Sequence, residues 1–333
     1  MNPALPITPA RYRTAVLGLV VACAAWGWSF PAMKWALHVM TAARPEASQS
    51  AVTVAFMAMR FPMAALCYGL LTFKSQCGYT RADLKVGFLP GILAGIGMIF
   101  QALGLVYVYP SVSGFLTALC VVTLPVAEVF LFGKRVRGLL WLACILALAG
   151  LVCLSLGGES SAANASALPV PFPYFGEALT ILATFFFSTQ ILLLGRWGEA
   201  ANSQRATFLF ISTVGMLNLL IALCWPEARS FLAPAMLKLL LSDWTFQWTL
   251  LSTILICTVV AFHFMNQEQP KVSATIAGVI YCMEPVFASL FSLGLGAESW
   301  RWSLGLGGGM ILVASLMAAS ASGAKQESVH PMA

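Results

Sequence analysis

The sequence predicts an all-α membrane protein: ten transmembrane helices, arranged as two inverted five-helix repeats, with the N and C termini cytoplasmic. Three observations carry this expectation: ten apolar stretches of spanning length, a composition nearly emptied of charge, and a second half that repeats the first. Each stretch is about 18–25 residues, and about 20 helical residues rising 1.5 Å each cross a hydrocarbon core about 30 Å thick. The 333 residues are 60% hydrophobic and 9% charged, against about 25% charged in an ordinary soluble domain. So much apolar surface cannot be hidden in water, and a multi-pass membrane protein follows.

The first five spans are expected at Ala15–Val39, Ala51–Phe73, Val86–Tyr107, Val112–Phe132 and Leu139–Leu156. The second five are expected at Phe175–Leu194, Ala206–Trp225, Thr245–Met265, Ser273–Gly294 and Ser303–Ala321. An odd number of crossings per half turns the second half upside down, which is the architecture of secondary transporters. The expected organisation is a cytoplasmic tail (1–14), a first repeat (15–156), a periplasmic linker (157–173), a second repeat (174–321) and a cytoplasmic tail (322–333). A single offset of 160 residues aligns Pro110 with Pro270, Val112-Ser113 with Val272-Ser273, and Pro125-Val126 with Pro285-Val286. Two prolines in register say more than matched valines, because apolar sequences coincide by chance. The linker is rich in Gly, Ser, Ala, Asn and Pro and carries one charge, Glu159, as a flexible joint between two rigid units would.

The net charge of +6 is a topology signal and not a nucleic-acid signal. With the N-terminus inside, the inner segments hold twelve basic residues: Arg11, Arg13, Lys74, Arg81, Lys85, Lys134, Arg135, Arg137, Arg196, Arg205, Lys271 and Lys325. The outer segments hold four, Arg44, Arg229, Lys238 and Arg301. That bias places both termini in the cytoplasm. The first stretch is too long for a cleaved signal peptide and contains Trp26, Trp28 and Lys34. The nine cysteines form no Cys-x-x-Cys pair and the three histidines are scattered, so no metal or other cofactor is expected and the cysteines read as small buried hydrophobes.

Mid-helix prolines free a carbonyl. Pro125 and Pro285 deprive Val121 and Tyr281 of intrahelical partners, and a freed carbonyl in hydrocarbon must face protein or a water-filled cavity. Helices 4 and 9 are therefore expected to kink and to line a central path; a neighbour's hydroxyl capping the carbonyl is the alternative. Gly91-x-x-x-Gly95 and Gly305-x-x-x-Gly309 allow close helix approach, either inside the bundle or, through helix 10, in a homodimer.

Two charges lie deep in the predicted spans. Arg60 is nine residues into helix 2, about 13 Å deep, where a charge costs about 2.5–3.5 kcal/mol on insertion scales. Glu284 sits at comparable depth in helix 9. They are expected either to pair, bracing the bundle, or to face a cavity separately and bind substrate charge or carry a proton. Desolvation disfavours a charged carboxylate, which is why Glu284 is the proton-carrying candidate. Lys34 lies near the outer end of helix 1, where it can snorkel or touch a substrate carboxylate. Trp26 and Trp28 fall near mid-membrane, where each indole N–H is expected to find a carbonyl in helix packing, with substrate stacking the alternative that makes Trp26 a pathway candidate. Tyr281 and Gln101 are further pathway candidates. Glu128 and His263 are placed near the cytoplasmic helix ends at solvated or gating positions, and Glu268 in a loop.

Trp26-Gly27-Trp28-Ser29-Phe30 resembles the W-G-x-S-F entry motif of the EamA-type drug/metabolite transporters. Arg60-Phe61, Ser113-Gly114-Phe115-Leu116-Thr117 with Pro125, Glu284-Pro285-Val286-Phe287-Ala288 and Gly296-Ala297-Glu298 follow in that family's order. The last carries an inserted alanine, and its first-half counterpart, Gly133-Lys134-Arg135, lacks the usual glutamate. The resemblance runs from about Val16 to Ala321. It implies a ten-helix inner-membrane carrier of small metabolites, often an exporter, with helices 1–4 and 6–9 around a central cavity and helices 5 and 10 outside. Substrates across such a family range from amino acids to toxic cations.

The expected function is thus a secondary transporter, an exporter by the resemblance, working by alternating access on a small molecule in the lipid bilayer. Proton coupling through Glu284 and facilitated export fit equally. No G-x-x-x-x-G-K-[ST] loop is present to let ATP drive it. The competing classes are a structural or sensory membrane protein and an intramembrane enzyme. The latter is disfavoured because the acidic residues are dispersed and no His-Glu-x-x-His occurs.

Overall fold

A computed structural model describes residues 8–104, 107, 116–133, 135–156, 174–296 and 299–323. The expected linker, Pro110, Ser113-Gly114-Phe115, Lys134, Ala297-Glu298 and Lys325 lie outside the described residues. Among the described residues the fold is helical throughout, without strands. Ten apolar helices follow one another: α1 (Pro9–Ala43), α2 (Gln49–Leu71), α3 (Arg81–Gly104), α4 (Cys120–Phe132), α5 (Gly138–Leu156), α6 (Phe175–Trp197), α7 (Ser203–Cys224), α8 (Trp244–Lys271), α9 (Ala274–Gly294) and α10 (Trp302–Gly323). Eight are long and apolar enough to cross a membrane, and the stretches in α4 and α5 are shorter.

Local chemistry sets the starts. The side chains of Thr8, Ser48, Asn202, Asp243 and Ser273 each accept from backbone amides in the first turn of α1, α2, α7, α8 and α9. Such caps satisfy donors that a helix leaves orphaned. α1 therefore begins at Pro9, ahead of the span read from hydropathy, and reaches 35 residues. Glu268, expected in a loop, is instead helical and buried at the end of α8, where its carboxylate takes the Lys271 ammonium at 2.7 Å.

The helices pack in a pattern that respects the halves. α2 lies against α7, α4 against α9 and α5 against α10, each helix beside the one five places later. α1 packs on α8 and α9, as α6 packs on α3 and α4. α2 and α7 run antiparallel, and α7 is tied at one end to the start of α2 and at the other to the start of α3. At one end Ser48 donates from its N–H (3.1 Å) and hydroxyl (2.7 Å) to Glu227, just after α7. At the other, Asp83 accepts from the Asn202 N–H at 2.7 Å and the Arg205 guanidinium at 3.4 Å. Between the ties α2 and α7 nearly touch: a Cβ on Gly215 would lie 3.0 Å from the Pro62 nitrogen.

Close approach recurs where glycine permits it. Gly91 and Gly95 meet Phe210, Thr213 and Leu217 of α7, so the first Gly-x-x-x-Gly serves internal packing. In the α5–α10 pair the close contact is Gly150 against Gly307, not Gly305 or Gly309. One apolar core gathers Phe56, Phe61, Phe210, Phe246 and Phe262 between α2, α7 and α8; a second gathers Leu19, Ile276, Ile280 and Ile311 between α1, α9 and α10. Large apolar side chains such as Leu17, Leu66, Leu70, Ile145, Phe185 and Leu316 stay exposed on the outside, as a lipid-facing belt requires.

The ends differ in charge. Tyr12 of α1 donates to the Ala319 carbonyl of α10 at 3.0 Å, so the start of α1 and the last turns of α10 lie on the same side of the bundle. Arg137 bonds the Ala321 carbonyl there. Lys85 stacks over Trp197 at 3.6 Å, and Arg205 donates to the carbonyls of Ser75 and Gly78. These are the residues of the positive side in the topology count.

Candidate functional site

The interior where α1, α2, α8 and α9 meet collects most of the chemistry. α1 and α9 cross closely at Gly27, where a Cβ would stand 2.6 Å from the Cβ of Phe287 and 2.8 Å from the Ala288 nitrogen. That crossing sets Trp26 edge-on to Tyr281 (5.5 Å) and to Phe262 (5.6 Å). Phe262 in turn touches Phe61 and Phe210. The result is an aromatic wall drawn from five helices.

α8 changes register beside that wall. Leu255–Val260 forms a π-helical segment between the α-helical pieces Trp244–Ile254 and Ala261–Glu268. Within it the Thr258 hydroxyl donates five residues back, to the Thr253 carbonyl at 2.9 Å. The freed lone pair accepts from Nε of Arg60 at 2.8 Å. π segments frequently mark functional sites. Nothing in the sequence pattern distinguishes this segment from ordinary helix.

Arg60 is only 5% exposed, yet it forms no ion pair with Glu284. Its hydrogen bond goes to a neutral hydroxyl, and its guanidinium carbon lies 5.2 Å from the Phe61 ring. The pairing considered from the sequence is therefore absent, because the π segment turns Thr258 and not a carboxylate towards the guanidinium. Glu284, in the first turn of the Met283–Gly294 part of α9, is half-buried and has no hydrogen bond or ion pair among the described residues. Arg60 of α2 and Glu284 of α9 therefore stand separately, with no ion pair joining them among the described residues. Among the described residues, four buried side-chain polar atoms lack a partner: Trp28 Nε1, Ser50 Oγ, Asn266 Oδ1 and Ser303 Oγ.

The other expected residues separate. Tyr281 donates to Oε1 of Gln269 at 2.9 Å, and Gln269, fully buried, donates on to the Ile191 carbonyl of α6 at 2.7 Å. Gln101 donates to the Thr117 hydroxyl at 3.1 Å between α3 and the start of α4, apart from the Arg60 cluster in its bonding. Lys34 is exposed. Trp28 packs on Trp35, Trp248 and Phe291, but its N–H meets no carbonyl, against expectation: the ring is caged by other rings. α9 is interrupted at Cys282, one turn before Pro285, while Pro125 lies inside the regular part of α4.

Glu128 is not solvated. It is 2% exposed and accepts from the Thr275 N–H (3.1 Å) and hydroxyl (2.5 Å), a carboxylate set on the start of α9, where the helix dipole favours it. It borders a cavity of about 500 Å³ with Leu131, Leu192, Gly195, Arg196, Val272 and Ala274, between α4, α6 and α9. His263 meets the Tyr68 hydroxyl through Nδ1 at 2.9 Å. Sequence reading missed the Asp83–Arg205 tie, although Thr80-x-x-Asp83 is a capping-box pattern: Asp83 accepts from Thr80 N–H and Thr80 accepts from Asp83 N–H. Among the described residues no three His, Cys, Asp or Glu side chains group as a metal site.

A two-layered internal symmetry of apolar helices enclosing charged side chains defines a membrane-transporter class, and comparison agrees. The profile of the EamA-like transporter family matches residues 13–156 and again residues 174–320. The chain belongs to that family, and with it to the drug/metabolite transporter superfamily. It is 28% identical over 297 residues to an uncharacterized transporter of Archaeoglobus fulgidus, covering 85% of this chain and 79% of the relative. It is 24% identical over 239 residues to the uncharacterized transporter YetK of Bacillus subtilis, covering 70% and 68%. A solved crystal structure shares the fold with a TM-score of 0.67 at 17% identity, over 95% of this chain and 99% of that one. The protein is a multi-pass membrane transporter.

Proposed function

We propose that this transporter is a secondary carrier that exports a small metabolite across the inner membrane by alternating access, with ten spanning helices in two inverted repeats. The observation that carries the reading is the pairing of α2, α4 and α5 each with the helix five places on, around an interior where Arg60 and Glu284 stand without ion-pair partners among the described residues. Such symmetry-related halves can rock against one another about a midplane site. Placing the basic end, with both chain ends, in the cytoplasm follows the positive-inside rule. α1–α4 and α6–α9 surround the path, with Trp26, Tyr281, Arg60 and Glu284 on it. α5 and α10 lie outside, where Gly309 on an open face of α10 suits either lipid or a second copy. Glu284 is the candidate proton carrier.

The test is uptake by proteoliposomes of labelled amino acids, polyamines, organic anions and organic cations, with and without an imposed pH gradient. The expected result is accumulation that follows the gradient in the native protein, with E284Q folded but carrying out only gradient-independent equilibration, at least tenfold slower. No movement of any compound, in protein whose fold is intact by circular dichroism, contradicts the carrier reading.

A further inference from the structure

We propose that Arg60 is an oxyanion receptor, so that the molecule carried has an apolar body and a carboxylate or phosphate group; this rests on the carrier reading above. A guanidinium stays charged in proteins and offers five N–H donors in a rigid fork. Here Nε is spent on Thr258, and among the described residues the four N–H groups on the two Nη atoms have no acceptor. No described Asp or Glu pairs with Arg60, although the residue is 5% exposed and deep within α2.

A buried cation is strongly destabilising unless an anion with good geometry meets it. The chain's other deep charge, Glu284 of α9, makes no ion pair with it. The counter-charge therefore comes from outside the chain. The anchoring suits that role: the Thr258 hydroxyl is fixed by its own bond to the Thr253 carbonyl, which leaves the guanidinium edge held and its outer fork free. A planar fork binds carboxylate or phosphate through two parallel hydrogen bonds. Phe61, itself buried, meets the guanidinium and Phe262, and Phe262 meets Trp26, so the fork is set among rings whose chemistry suits an apolar body.

The test is thermal unfolding of the full-length protein in maltoside detergent, titrated at matched ionic strength with benzoate, phenyl phosphate, benzamide and benzylamine. Benzoate or phenyl phosphate should raise Tm saturably, the better of the two naming the group preferred, while benzamide and benzylamine leave it unchanged. R60Q should weaken the anion response at least tenfold. R60K keeps the charge, loses the fork and should weaken it several-fold, as should T258V, which keeps Arg60 and removes its anchor; both serve if R60Q fails to fold. Benzamide or benzylamine matching benzoate, an undiminished response in R60K and T258V, or no response to either anion overturns the proposal. Anion binding through Arg60 without movement in proteoliposomes would sink the carrier reading and leave the receptor. Cation transport that survives R60K and T258V would do the reverse.

Discussion

At Gly27 a single hydrogen atom decides whether α1 can meet α9. A methyl group there would press on the Cβ of Phe287 and on the backbone nitrogen of Ala288, which cannot step aside as a flexible side chain could. Overpacking typically costs about 1–3 kcal/mol, and more where backbone must move. G27A is expected to lower Tm in detergent, and G27V to abolish the monodisperse peak in size-exclusion chromatography. A G27V protein that purifies like the native one would show that the crossing is loose. The sequence displayed this glycine between two tryptophans, but not its reason, because the partner lies some 260 residues away in the chain. Arg60 and Glu284 were legible as deep charges by counting along their helices. Their failure to pair was not, since that depends on the rotation of helices about their axes and on the π turn at Thr258. Glu128 misled for a related reason: a charge near a helix end reads as solvated until the start of α9 is seen folded over it.

At the scale of elements, α7 is tied at both ends, to the start of α2 through Glu227 and to the start of α3 through Asp83, and both ties rest on carboxylates held below their usual range. The exposed Glu227 carboxyl is held below its usual range by the Ser48 hydroxyl and then by the Ser48 N–H. A depressed folded-state value means that this tie contributes fully above the unfolded value of about 4.3 and is lost as pH falls through the folded one. The tie at the other end is buried: Asp83 is 1% exposed and gathers Thr80, Asn202 and Arg205. D83N should therefore destabilise at neutral pH by about 1–3 kcal/mol, the range for unsatisfying a buried polar group. E227Q should change little at pH 7 and flatten the acid limb below about pH 4.3. Tm against pH for the two variants checks both; an acid limb unchanged in E227Q would remove Glu227 from the account. Hydropathy foretold that α2 and α7 exist, and their caps (Ser48, Asn202) mark their starts. It carries no information on which loop reaches which cap.

For the whole molecule, the repeat was the most readable feature, because it rests on length, periodicity and two prolines in register and not on any single contact. The helix pairings extend it: α2 with α7, α4 with α9 and α5 with α10 are the contacts an internal twofold would generate. The basic end was legible too, since charge in short loops needs no tertiary structure to be counted. What remained hidden was the interior, where polar residues from α1, α2, α8 and α9 meet only after packing.

The central claim, that this interior opens to one side of the membrane and then the other, can be tested with three of the native cysteines. Cys77 is exposed in the α2–α3 connection and Cys224 is exposed at the opposite end of the bundle, as the last residue of α7. Cys120, half-buried at the start of the regular part of α4, lies within electrostatic reach of Glu284. In membrane vesicles, proteins keeping one of these cysteines each would be treated with a membrane-impermeant maleimide from either face. The account predicts labelling of Cys77 from the cytoplasmic face alone, of Cys224 from the other face alone, and of Cys120 from both. Labelling of Cys120 from one face only, or from neither, while the two exposed cysteines label as expected, would contradict it.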